Sequence, residues 1–113
     1  MARHWSEEQA KSYLLSRGYR LLAENYLVRG GELDLVVQEG EMIVFVEVRQ
    51  RRSSRYGSAA ESIGAQKIAR LRRTALHYLA TRYGRDDLPV RFDAIVIEGG
   101  RDRFVLQHLE AVF

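Results

Sequence analysis

The sequence predicts one domain, residues 1–113, of the α/β class, with helices flanking a central mixed β-sheet in three layers. Three observations lead there. Two short apolar runs, 33–37 and 42–48, flank Glu39-Gly40-Glu41 as the arms of a β-hairpin flank their turn. A long stretch, 59–83, repeats apolar residues at helical spacing, and a further β-branched run, 94–97, follows it. The resulting order is α, β, β, β, α, β and a short final element. At this length one core can be buried without disulfide or metal staples.

Residues 1–5 read as a loose start. Ser6 is placed to cap the first helix, with Gln9 three residues on to complete a capping box. Ala10, Tyr13 and Leu14 then recur at helical spacing, and Gly18 stops the helix. Glu7 shares the inward face with Ala10, whereas Glu8 is rotated roughly 100° away. Glu7 has two readings: it favours the positive end of the helix, or it leans over a site on the sheet.

Residues 19–28 form the first strand, and Gly30-Gly31 turns the chain into the hairpin. Its second arm has no polar residue from 42 to 46, the mark of a central strand covered on both faces. Glu47 ends that buried run and Asp34 lies inside the first arm. Carboxylates avoid such places unless something pairs with them. They are strand-edge residues, partners of nearby arginines, or ligands of a hard cation. In an antiparallel hairpin a two- or four-residue loop puts Asp34 and Glu47 on one face, while a three-residue loop separates them unless a bulge intervenes. Arg49 follows two residues after Glu47. Glu32, two residues before Asp34, belongs to the start of the strand or supports the same site.

A polar loop is expected from 49 to 58. Its Arg51, Arg52 and Arg55 are too close together to serve one core ion pair, and guanidinium matches phosphate in a bidentate fork. Tyr56 either stacks on a base or packs across the loop. The helix over 59–83, with a break near Gly64, buries Ile68, Leu71, Ala75, Tyr78 and Leu79. Lys67, Arg70, Thr74 and His77 form a second, basic stripe. His77 has no second His at ligand spacing, which argues against zinc. After a loop closed by Pro89, Arg91-Phe92-Asp93 leads the next strand. Residues 104–109 are a last edge strand or a short turn.

Charge is unevenly spread. Between Arg49 and Arg82 nine basic residues face one acid, Glu61, so this third of the chain carries +8 within a total of +3. A solvated helix face explains many charge runs, but this one begins two residues after Glu47 and fits a polyanion lying across the site. A hydrophobic fraction of 46% and a charged fraction of 29% are those of a soluble globular protein. No apolar run is long enough to span a membrane, no charged-then-apolar leader opens the chain, and cysteine is absent. No membrane association and a cytoplasmic location are the expectations.

The segments GGELDLV, FVEVRQRRS, YGSAAESI, Lys67 in the next helix, and RFDAIVI, in that order, resemble the YraN-like family of small bacterial proteins. Through it they resemble the PD-(D/E)XK nuclease superfamily, whose core carries an Asp and a Glu-x-Lys on consecutive strands. The resemblance runs from about Glu7 to Ile97. It implies a restriction-endonuclease-like fold and a divalent-metal-dependent endonuclease acting on nucleic acid, DNA rather than RNA, structured or branched. Asp34, Glu47 and Arg49 would be catalytic. Asp34 and Glu47, with Glu7 from the first helix, would hold Mg²⁺ or Mn²⁺. Arg51, Arg52, Arg55, Tyr56, Lys67 and Arg70 would grip the nucleic acid, and Asp93 in RFDAIVI would hold Arg91 or a neighbouring backbone group. Two departures stand out: Arg49 replaces the usual Lys, and Ile68 replaces a frequent Gln. A binder that does not cut, and a protein-interaction module on a nuclease-like scaffold, are the alternative functions. The oligomeric state, a homodimer included, is left open.

Overall fold

The computed structural model describes residues 4–51 and 64–113. Its elements are α1 (Trp5–Ser16), β1 (Arg20–Val28), β2 (Gly31–Glu39), β3 (Met42–Arg51), α2 (Ala65–Tyr83), β4 (Val90–Gly100) and β5 (Arg103–Leu109). The five strands form one sheet in the order β1-β2-β3-β4-β5. Neighbours are antiparallel except β3 and β4, which run parallel and so need a crossover. The segment carrying α2 is that crossover. The sheet is mixed, as the order of elements implied.

Each face of the sheet is covered by one helix. Ala10 and Leu14 of α1 pack on Leu35, Val37, Val44, Val46, Ile95 and Ile97. Leu71, Ala75, Tyr78 and Leu79 of α2 pack on Val36, Ile43 and Phe45. Phe45 stacks on Phe92 with centroids 5.2 Å apart, and Tyr78 meets Phe45 edge-on at 5.9 Å. Both cores draw on β3, which is why Ile43 to Val46 had to be apolar without alternation. The three layers match a restriction-endonuclease-like arrangement.

Several boundaries differ from the sequence reading. His4, not Ser6, caps α1: its Nδ1 accepts the Ser6 N–H at 3.2 Å and the Ser6 hydroxyl at 2.6 Å. Ser6 is thereby drawn inside the helix and buried. β3 does not end at Val48. It continues to Arg51 because β4 offers a parallel ladder, Arg49↔Val96 to Arg51↔Glu98. α2 starts at Ala65 after Gly64, the expected break, and the residues preceding Gly64 in the expected helix lie outside the described residues. Residues 103–109 are a strand, paired along the outer edge of β4. Thr74 leaves the solvated stripe; it is buried with its hydroxyl donated to the Arg70 carbonyl at 2.8 Å.

The turn between β2 and β3 has two residues, Gly40 and Glu41, with Gly40 at φ +59°. Every β2–β3 pair, from Glu39↔Met42 to Leu35↔Val46, therefore has position numbers with the same odd sum.

Asp93 is the buried polar anchor of the α1 face. Arg91 donates Nε–H to its Oδ1 and Nη2–H to its Oδ2, both at 2.9 Å. The Ala111 N–H reaches Oδ1 at 2.9 Å and His108 Nε2 lies 2.8 Å from Oδ2. Tyr19 accepts a further hydrogen bond from Arg91, and Tyr13 joins His108 from α1. One carboxylate thus ties β4, β5 and the segment after it to both ends of the α1–β1 connection. Burial works to raise its pKa, but the His108, Arg91 and Ala111 hydrogen bonds outweigh this and hold it below the ordinary carboxylate range.

Asp93→Ala leaves Arg91 half-buried without its bidentate partner and should cost about 3–5 kcal/mol in urea unfolding at neutral pH. Because the folded-state pKa is depressed, that advantage of the wild type is fully present above about pH 4 and shrinks as pH falls through the depressed value.

Candidate metal and phosphate site

Carrying the β2–β3 register one step beyond Leu35↔Val46 brings Asp34 beside Glu47. The backbone ladder stops there. Asp34 Oδ2 instead accepts the Val48 N–H at 2.9 Å, so a side chain takes over where a strand carbonyl would have paired. Alternation also slips at this point: Leu33 and Val36 pack in the α2-side core while Leu35 packs in the α1-side core. On the other flank, Glu24↔Leu35 and Tyr26↔Leu33 bracket Asn25 opposite Asp34. Asn25 has φ +49°, a left-handed conformation that Asn tolerates better than most residues. The sheet is therefore irregular on both sides of Asp34.

This irregularity opens a pocket of about 400 Å³ beneath the start of α2. Asp34 and Glu47 both line it, as the two-residue turn requires, with Glu32 at the side. Lys67 and Arg70 supply its opposite wall, and Gly30, Gly31 and Leu71 its apolar surround. Glu47 is buried, at 5% exposure, and its Oε1 lies 2.8 Å from Lys67 Nζ. The Gly30-Gly31 turn comes close because Gly31 has no side chain: a Cβ there would sit 2.0 Å from Thr74 Oγ1.

Burial, followed by the negative charge of Glu47, pushes the Asp34 carboxyl up to about 7; the Val48 N–H opposes the rise, and Glu7 and Glu32 add to it. Two carboxylates at one opening fit a hard divalent cation, which commonly takes one or two protein carboxylates and keeps several waters.

The other expected site residues fall in three groups. Glu7 is near enough for its charge to be felt at Asp34, but its Oε1 accepts from Asn25 Nδ2 at 2.7 Å. The same Asn25 nitrogen lies 3.3 Å from Glu32 Oε1. Among the described residues, no three His, Cys, Asp or Glu side chains converge closely enough to hold one ion. The structure thus joins Asp34 to Glu47 without bringing Glu7 to them. Arg49 lies two residues after Glu47 on β3, within the ladder to β4. Arg51 pairs with Glu98 at 3.4 Å, away from the pocket wall formed by Lys67 and Arg70. Arg52, Arg55 and Tyr56 lie outside the described residues. Asn25 was missed by sequence reasoning, although a strand-averse Asn in the middle of β1 was a visible signal. The contact between Lys67 and Glu47 was also unforeseen, because a helix residue and a strand residue twenty positions apart meet only through the crossover.

Asp34→Asn keeps an acceptor for the Val48 N–H and removes the charge. Since the folded-state pKa of Asp34 is raised, the wild type loses stability as pH climbs from about 4 to about 7. The variant should be more stable at pH 8 by up to about 4 kcal/mol, with the gain fading toward pH 4. Thermal or urea unfolding across that range checks it.

Comparison with known proteins places this geometry in a family. Residues 6–97 match the profile of the uncharacterised protein family UPF0102. The UPF0102 protein of Deinococcus radiodurans is 48% identical over 98 residues, 86% of this chain and 80% of the relative. That of Thermus thermophilus is 44% identical over 105 residues, covering 93% and 90%. A third, from Pelotomaculum thermopropionicum, is 45% identical over 109 residues, covering 95% and 90%. With a family match over most of its length and relatives this similar, the chain belongs to the UPF0102, or YraN-like, family.

Proposed function

We propose that the protein is a divalent-metal-dependent phosphodiesterase acting on nucleic acid, as an endonuclease on structured or branched DNA. The observation that carries this reading is the opening of two sheet carboxylates, Asp34 and Glu47, into a pocket walled by Lys67 and Arg70. Acids alone would suit a cation and bases alone a polyanion. Both in one pocket suit a phosphodiester held against a metal.

Asp34 and Glu47 would hold Mg²⁺ or Mn²⁺. When bound, such an ion polarises a phosphoryl oxygen and lowers the pKa of a water. The guanidinium of Arg49 offers only hydrogen-bond donors, so it would donate to a water or a phosphate oxygen rather than serve as base. Lys67 brings an ammonium to Glu47 from α2, a position the strand motif leaves to arginine. Arg70, exposed on the same wall, is placed to take a backbone phosphate. Asn25 holds Glu7 and Glu32 side by side, which fixes two further negative charges near Asp34.

The competing reading, binding without cutting, draws on the same site. Among the described residues two acids meet, and one already has a lysine as its partner.

Protein purified free of host nucleases, incubated with Mg²⁺ or Mn²⁺ and junction, duplex or single-stranded DNA, tests the proposal. Asp34→Asn and Glu47→Gln should each lower cleavage by more than about 100-fold, beyond the loss typical of an outer-sphere partner. Arg49→Lys should retain or raise cleavage and Arg49→Ala should lose it. A wild type and an Arg49→Lys variant that are inert on every DNA and RNA form would leave binding as the function.

Contact with phosphates should also give affinity a steep salt dependence, about −0.9 in log–log slope per duplex phosphate. Arg70→Gln should flatten that slope by about one unit and weaken all sequences alike.

A further inference from the structure

Lys11 and Lys67 are the only lysines in the sequence, against sixteen arginines. Each is paired with one glutamate. Lys11 meets Glu24 at 3.4 Å, and both side chains are partly exposed. Lys67 meets Glu47 at 2.8 Å, and there the side-chain exposures are 37% and 6%. In a chain that otherwise uses arginine, the cation that reaches the buried carboxylate of the pocket is a lysine. An arginine would grip Glu47 with a planar fork of donors, whereas an ammonium on a flexible four-carbon stem makes a point contact that is easily broken and remade.

The position of Lys67 adds a second argument. It lies in the first turn of α2, which contains no acidic residue and where helix N–H groups leave partial positive charge. A lysine is disfavoured at that end of a helix, so α2 itself gives no reason for it. Glu47 does give one: without a counter-ion it would be a buried, unpaired charge next to Asp34.

Charge counting shows what a divalent cation would change. With the acids ionised, the charged lining of the pocket, Glu32, Asp34 and Glu47 against Lys67 and Arg70, carries −1. Adding a divalent ion turns this to +1, so the ammonium is repelled from Glu47 and an anion is drawn in. Arg70 marks the pocket wall along which Lys67 would move.

We propose that Lys67 is an exchangeable counter-ion: it holds Glu47 while the pocket lacks a divalent cation, and it transfers to a substrate phosphate when one binds. Metal and phosphate then strengthen each other's binding, and by linkage the effect is equal in both directions. This rests on the metal-dependent reading given above.

The full chain offers a direct test, because Lys11 serves as an internal reference. Brief acylation with a small activated ester, followed by peptide mass spectrometry, reads the Lys67-to-Lys11 modification ratio. Saturating Ca²⁺ or Mg²⁺ should raise that ratio by about fivefold or more in the wild type, and Asp34→Asn should abolish the response. Adding DNA with Ca²⁺ should protect Lys67 again. Independently, Lys67→Met should bind Mn²⁺, followed by electron paramagnetic resonance, about tenfold more tightly than wild type. The same variant should lose the Ca²⁺-induced gain in DNA affinity.

Mn²⁺ binding that Asp34→Asn removes, but with an unchanged lysine ratio, would overturn the exchange and leave the metal site standing. Weaker Mn²⁺ binding by Lys67→Met would do the same. Absence of Mn²⁺ binding in the wild type would overturn both. Should Lys67→Met fail to fold, the acylation ratio decides the matter on unaltered protein.

Discussion

A single hydrogen bond, from the Val48 amide to the Asp34 carboxylate, governs how the candidate site is built. Two antiparallel strands normally satisfy each other's amides with carbonyls. Where Asp34 accepts the hydrogen bond, the ladder ends, yet the Val48 amide keeps a partner. The strands are thus released from pairing without the usual cost of an unpaired amide. The pocket, the slip in alternation at Leu33–Val36 and the raised pKa of Asp34 all lie at this break. The acid that ends the pairing is the same acid whose carboxyl is pushed up by burial and by Glu47.

The two faces of the sheet divide the polar work. On the α1 face Asp93 is surrounded by donors and its charge is compensated. On the α2 face Asp34 and Glu47 line one pocket, where Lys67 pairs with Glu47. Asp93 and Glu47 are buried and Asp34 is half-buried, and the two settings have opposite chemistry. A carboxylate saturated by arginine, histidine and backbone is an anchor. A pair in which burial and mutual repulsion raise the pKa of one member is not.

Much of this was legible in the sequence. The unbroken apolar run 42–46 foretold a central strand, and the single glycine between two glutamates foretold the tight turn that sets Asp34 beside Glu47. The hold of Asp93 on Arg91 was implied by the resemblance of RFDAIVI to the family, and the structure adds His108 and the Ala111 amide to it. Other features were not legible because they depend on contacts between distant segments. β3 runs on through Arg51 only because β4 lies alongside, and no local propensity of Arg-Gln-Arg announces a strand. Lys67 reads as one member of a basic stripe until the crossover sets its helix over Glu47. His4 outcompetes Ser6 as the cap because an imidazole nitrogen can reach back to the helix amide, a geometry that residue preferences alone do not rank.

Gly31 and Thr74 have a mechanical consequence. Their approach leaves no room for even one carbon atom between the hairpin turn and α2. A helix lying on a sheet could otherwise ride along its axis, and each residue of travel would shift its side chains by about 1.5 Å. Here the Thr74 hydroxyl seats against bare backbone and acts as a detent. Lys67 lies two turns up the same helix, so this contact sets its reach toward Glu47. The alignment of the pocket walls is fixed at the pocket's rim, where Gly31 meets Thr74 and neither residue carries charge.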